Sequence, residues 1–249
     1  MDKMKLRTYA EQARHRWGKD STSPLDIFAI VSQIDTATLV LFPFGENISG
    51  ICVKSPTSAV LAINSTQTLG RQRFSLAHEM YHYCYDKTNT TNICPTQIDS
   101  GDIEERNADR FASYLLIPPL ALNERIAKLR NGSNRNLTTK DIVDLEQYFQ
   151  VSRKAILFRL REEKLLSQEA SKSMEQNVKI TASAFGYDLA LYEPRPVERQ
   201  KTTLGYYIEK AEQLLSDNKI STGKYEEYLL DAFRADIVFG PETEDEYVD

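Results

Sequence analysis

The sequence predicts an α+β protein: a mostly helical domain with a small antiparallel sheet, then a helix-turn-helix-like helical segment and a C-terminal helical extension. Three observations predict it. Segments 36–44, 49–54 and 58–64 are rich in β-branched residues, and the last two flank the turn signal Ser55-Pro56-Thr57-Ser58. Most of the remaining apolar residues recur at three- and four-residue spacing, the period of an amphipathic helix. Two such stretches, 139–149 and 152–163, are separated by only Gln150-Val151, which is helix-turn-helix spacing. The expected units are 1–132, 133–172 and 173–249.

The elements follow in order. Leu6, Tyr9, Ala10, Ala13 and Trp17 mark one face of a helix over 4–18. Ser23-Pro24-Leu25-Asp26 offers an N-cap, a proline for the first helical position and a capping-box acid, so a second helix is expected there. Thr38 to Phe44 is the longest apolar run and reads as a buried strand. A helix with Phe74, Ala77, Tyr81 and Tyr85 on its stripe spans Leu69 to about Tyr85. Residues 86–102 are polar and broken by Pro95 and Gly101, which predicts a long surface loop. Helices over 103–116 and 120–130 stop at Pro118-Pro119 and at Asn131-Gly132. Strands are expected within 178–192 and helices near 204–216 and 221–235. The end carries five acids in its last eight residues and reads as mobile.

Composition excludes several classes. The chain has 249 residues and a net charge of -5, which disfavours a basic nucleic-acid binder. Cys52, Cys84 and Cys94 are too few for a disulfide framework. The N-terminus lacks the apolar stretch of a signal peptide, and no run approaches the length of a spanning helix. A cytoplasmic protein without membrane partners is expected; oligomeric state is not set by the sequence.

Of three histidines, two sit four residues apart in His78-Glu79-Met80-Tyr81-His82, an H-E-x-x-H pattern. On a helix, positions four apart point in nearly the same direction, about 6 Å along the axis. Two imidazoles so placed reach one divalent ion, while Glu79 reaches a water on it. The pattern is short enough to arise by chance, so context must support it. A catalytic zinc wants a third protein ligand. Glu105 offers it from the next helix, in preference to Glu104. Asp109, on Glu105's face, is placed to accept a hydrogen bond from a ligand imidazole.

Arg71-Gln72-Arg73-Phe74-Ser75-Leu76-Ala77-His78-Glu79-Met80-Tyr81-His82, followed by Glu105-Arg106-Asn107-Ala108-Asp109-Arg110-Phe111-Ala112-Ser113-Tyr114-Leu115-Leu116-Ile117-Pro118, resembles the ImmA/IrrE-type metallo-endopeptidases. The strand ending at Asn64 fits the same pattern. The resemblance covers about residues 1–165. It implies a zincin-like peptidase domain, metal ligation by His78, His82 and Glu105, and Glu79 as general base. Met80-Tyr81 stands where Leu-Gly is common in that family, and Asp109 where Asn is common.

The implied activity is metal-dependent endopeptidase chemistry, with a metal-activated water and Glu79 as base. By the same resemblance the substrate is a helix-turn-helix transcriptional repressor, cleaved to relieve repression in a mobile element or stress response. Zinc is the default ion, with manganese or iron as alternatives. Tyr81, Arg73, Arg110 and Tyr114 are candidates for oxyanion or substrate contacts. The edge of the sheet at 58–64 is the expected place for an extended substrate to add as a strand. Cys84 reads as core and Cys94 as an incidental loop cysteine, although Cys94 could occupy a metal position in a resting state. Basic residues over 139–165 leave DNA binding as a weak reading. The competing reading is a regulatory binding protein, partner of a toxin, antitoxin or repressor, with a structural metal. A fourth protein ligand such as Cys94 would favour it, and an open water position the peptidase.

Overall fold

The computed structural model describes residues 2–87 and 90–240; the acidic tail at 242–249 lies outside the described residues. The fold class holds: twelve α-helices surround one five-stranded sheet among the described residues.

Helix α1 (Lys3–Arg16) buries Leu6, Ala10 and Ala13. Arg14 is buried with them and donates to the carbonyls of Leu115 (2.6 Å) and Asp20 (2.7 Å). Helix α2 (Ile27–Ser32) starts later than expected, because Asp26 is itself the cap and accepts from the Ala29 amide. The Ser23 carbonyl is taken by Arg14 instead.

Strands β1 (Ala37–Phe42), β2 (Ile48–Lys54) and β3 (Ala59–Asn64) supply the centre of the sheet. The sheet is mixed where an antiparallel one was expected, since β1 pairs parallel with β3 while β2 pairs antiparallel with it. Asn64, at the end of β3, donates to the carbonyls of Gly45 and Ile48 at 3.2 and 2.7 Å. It thereby fixes the chain entering β2.

Two strands were not expected. The segment read as a surface loop contains β4 (Thr91–Pro95), antiparallel to β2, with Asn92 and Cys94 buried. Beyond 200, β5 (Thr202–Gly205) pairs antiparallel with β1. The sheet order is β4-β2-β3-β1-β5. β3 is therefore interior on both sides, and the substrate edge expected at 58–64 does not exist.

Helix α3 (Leu69–Cys84) packs on β2 and β3 and against α4 (Ile103–Leu116). Asp102 caps α4 by accepting from the amides of Glu104 and Glu105 at 2.8 and 3.1 Å. Helices α5 (Pro119–Arg130), α6 (Thr139–Phe149) and α7 (Arg153–Glu162) follow, α6 opening with a capping box of Thr138 and Asp141. Gly70 brings α3 against the α6–α7 turn, where a Cβ would lie 2.9 Å from the Ser152 amide nitrogen. One hydrophobic cluster runs from Leu6 to Leu160, across the boundary expected at 132/133.

Helices α8 (Gln168–Ser173) and α9 (Val178–Ala184) come next. Residues 178–192, expected to hold strands, form α9 and a 3-10 turn at Ala190–Tyr192. The chain returns to α3, where the Leu69 amide donates to Glu193 O (2.8 Å) and Arg195 to Gln72 (3.1 Å). Helices α10 (Tyr206–Ser216), α11 (Thr222–Asp231) and α12 (Ala235–Phe239) end the described chain. No helix among the described residues is long and apolar enough to cross a membrane.

Candidate metal centre

Helix α3 presents His78, Glu79 and His82 under β2, and α4 presents Glu105 and Asp109 from the other side. All but Glu105 are buried. His78 Nε2 and His82 Nε2 lie 3.2 Å apart. Glu105 places one oxygen 3.2 Å from each ring, Oε2 on His78 and Oε1 on His82. Two donors at about 2.05 Å from one ion, with a tetrahedral angle between them, stand about 3.3 Å apart. The three donors thus have the spacing that one small divalent ion requires. Glu104 is spoken for elsewhere: its Oε2 accepts from the Tyr81 hydroxyl at 2.6 Å.

Each imidazole is held on its far side. His78 Nδ1 is 2.8 Å from Asp109 Oδ1, whose other oxygen accepts from the Asp99 amide at 2.6 Å. His82 Nδ1 is 3.2 Å from Asp86 Oδ2, which also accepts from Asn92 at 3.2 Å. Such partners fix ring orientation and direct Nε2 toward an ion. Lys54 donates to the carbonyls of His82 (2.8 Å) and Asp86, closing the end of α3.

Glu79 differs from its neighbours. Its side chain is fully buried and neither carboxylate oxygen has a hydrogen-bond partner. Gly50 of β2 lies directly above it, where a Cβ would fall 2.4 Å from Glu79 Oε1. Only a glycine allows that approach.

The charges follow from burial and neighbours. Burial alone would push His78 down, but the carboxylates of Asp109 and Glu105 outweigh it and raise it to about 10. Burial acts to raise Glu105, yet His78 and His82 bring it down to about 2. Burial holds Glu79 above the usual carboxylate range.

Cys94 of β4 enters the same cluster. Its Sγ, the two imidazoles and Glu105 offer donor atoms that all lie within 4.8 Å of one another. The thiol is 3.9 Å from Glu105 Oε1. The chemistry of this donor set, two imidazoles, a carboxylate and a thiol, suits zinc.

The candidate oxyanion residues are engaged elsewhere. Tyr81 is buried and edges onto the His82 ring at 5.6 Å while bonding Glu104. Arg73 donates to the Leu25 carbonyl. Arg110 pairs with Glu162 at 3.0 Å, and Tyr114 lies beneath the Arg159 guanidinium at 4.3 Å. Sequence reasoning missed Asp86, Gly50 and the position of Cys94. Asp86 carried a readable signal, four residues after His82, as Asp109 is four after Glu105; Gly50 carried none, and Cys94, read as a loop cysteine that could take a metal position, gave no sign of the strand that aims it.

The sequence profile of the IrrE N-terminal-like domain, peptidase M78, matches residues 38–161, the span that holds every residue of this cluster. No curated protein matches the chain.

Proposed function

Through residues 38–161 the chain belongs to the peptidase M78 family, and on that premise we propose that it is a zinc-dependent endopeptidase that cleaves a helix-turn-helix repressor. The observation that carries the reading is the donor triangle of His78, His82 and Glu105 beside the orphaned carboxylate of Glu79. A buried, unpaired carboxylate is costly unless it serves a purpose.

In this reading His78, His82 and Glu105 hold the ion, and Asp109 and Asp86 keep the two rings aimed. A divalent ion there supplies Lewis acidity, lowering the pKa of a bound water toward 7 and polarising the scissile carbonyl. Glu79 accepts a proton from the attacking water on a carboxylate oxygen and returns it to the departing amine nitrogen. Its burial favours that exchange, because the protonated carboxyl is tolerated there. The three free cysteines suit a reducing cytoplasm.

A test incubates the protein and zinc with the repressor encoded beside it, and reads the products by mass. Cleavage that a chelator abolishes is expected; an intact repressor counts against the reading. One observation favours a second reading, a regulatory binding protein with a structural ion: Cys94 makes a fourth donor available. Retention of the repressor on the zinc-loaded protein, uncut, would favour that alternative.

A further inference from the structure

Strand β4 lies at the edge of the sheet, and its pleat sends Asn92 and Cys94 inward while Thr91 and Ile93 face out. In register, Cys94 stands opposite Gly50, the residue that lies on Glu79. Paired residues share a face of the sheet, so Cys94 is directed at the same side as that contact. Two further contacts hold it there. Ser49 donates to the carbonyls of Cys94 and Pro95 at 3.2 and 2.8 Å. Asn92 donates to Asp86, the partner of His82. Independently, both Glu79 oxygens are buried without a hydrogen-bond partner on the side where Sγ enters.

A sulfur at about 2.3 Å and an oxygen at about 2.0 Å from one ion, in a tetrahedral arrangement, are about 3.5 Å apart. The distance from Cys94 Sγ to Glu105 Oε1 is 3.9 Å, a few tenths longer than the ideal. A closed site with four protein ligands is structural, whereas a catalytic site keeps one position open.

We propose that Cys94 is the fourth protein ligand of the ion held by His78, His82 and Glu105, and that its thiolate closes the position the attacking water needs. The closed form is therefore inactive, and the protein cleaves only through the minor fraction in which β4 has moved. Opening is an exchange of ligands, thiolate for water, with no change in oxidation state. The displacement is confined to one edge strand, because β4 pairs with β2 alone in the sheet. An extended substrate can then take the vacated edge of β2. The closure, though not the ligand assignment, rests on the peptidase reading.

X-ray absorption at the zinc edge tests the ligand directly. Zinc-loaded wild type should show one sulfur scatterer at about 2.3 Å beside nitrogen and oxygen near 2.0–2.1 Å. The sulfur should vanish in Cys94→Ser and Cys94→Ala, as should the thiolate-to-metal charge-transfer band of the cobalt-substituted protein. Both variants should cleave the repressor faster, by about tenfold or more if the open state of the wild type is a minor one. A wild-type shell of nitrogen and oxygen alone overturns the assignment, and this needs no variant to fold. Sulfur in the shell with equal cleavage rates in wild type and variants overturns the closure. Sulfur in the shell with no cleavage by any form upholds the ligand and sinks the peptidase reading. Cleavage by wild type with no sulfur in the shell does the reverse.

Discussion

Asp109 and Asp86 each hold the far nitrogen of one imidazole, the contact that would aim the ring in the proposed site. Replacing either with Asn keeps the volume and weakens the acceptor. Asp109→Asn and Asp86→Asn should each lower zinc affinity by about 10–100-fold, measured by competition with a chelating dye. Unchanged affinity in both would mean that the rings are held by packing alone. The sequence made His78, His82, Glu105 and Asp109 legible because each pair shares a helix face at a spacing of four. Asp86 has the same spacing from His82 but lies just past the end of α3, so the spacing alone gave a weaker signal there. Cys94 was named only as an alternative donor in a loop, because its direction depends on the pairing of β4 with β2, a non-local contact that sequence spacing does not carry.

Strand β2 packs on helix α3, and Gly50 lies against Glu79. A methyl group at Gly50 would sit 2.4 Å from Glu79 Oε1, so the strand or the carboxylate must shift. Gly50→Ala should cost about 1–3 kcal/mol by chemical denaturation. It should also slow cleavage while leaving the ligands able to bind zinc. Retention of both full stability and full activity would remove Gly50 from the account. The long helices were readable element by element, since periodicity and caps are local properties. Strands β4 and β5, five and four residues long, are too short to show a period and exist through pairing with β2 and β1. The helix-turn-helix-like pair was located well by spacing, yet two of its five basic residues, Arg153 and Arg159, are buried and not on an outer face. Arg153 is buried against Glu146, with further bonds to the Met174 carbonyl and Thr181. Arg159 is buried between the Ile117 carbonyl, Glu163 and the Tyr114 ring. Arg153 thus ties α6 and α7 to the following helices, and Arg159 ties α7 to the end of α4.

At the scale of the whole molecule, the fold and the ion are linked through protons. In the metal-free protein His78 is raised from 6.5 to about 10 by Asp109 and Glu105 despite its burial. A raised value means that the stability it contributes is complete below about pH 6.5 and is lost as pH climbs through about 10. Glu79, also raised by burial, acts with the same sign from a lower starting point. Chelated protein should therefore show a thermal midpoint that falls across that window by calorimetry. Zinc-loaded protein should hold its midpoint, because the ion takes the place of the proton on the ring. A midpoint of chelated protein that is flat over the same range would contradict the proton linkage. Residues 193–205 return to the sheet and α3 through β5 and the contacts of Glu193 and Arg195. That is a tertiary arrangement which composition and local patterns do not encode. The most direct measurement compares initial rates of repressor cleavage by wild type and Glu79→Gln, each verified to carry one zinc per chain. The account predicts equal metal content and a rate lower by about 10²–10⁴-fold in the variant. Equal rates at equal metal content would contradict it.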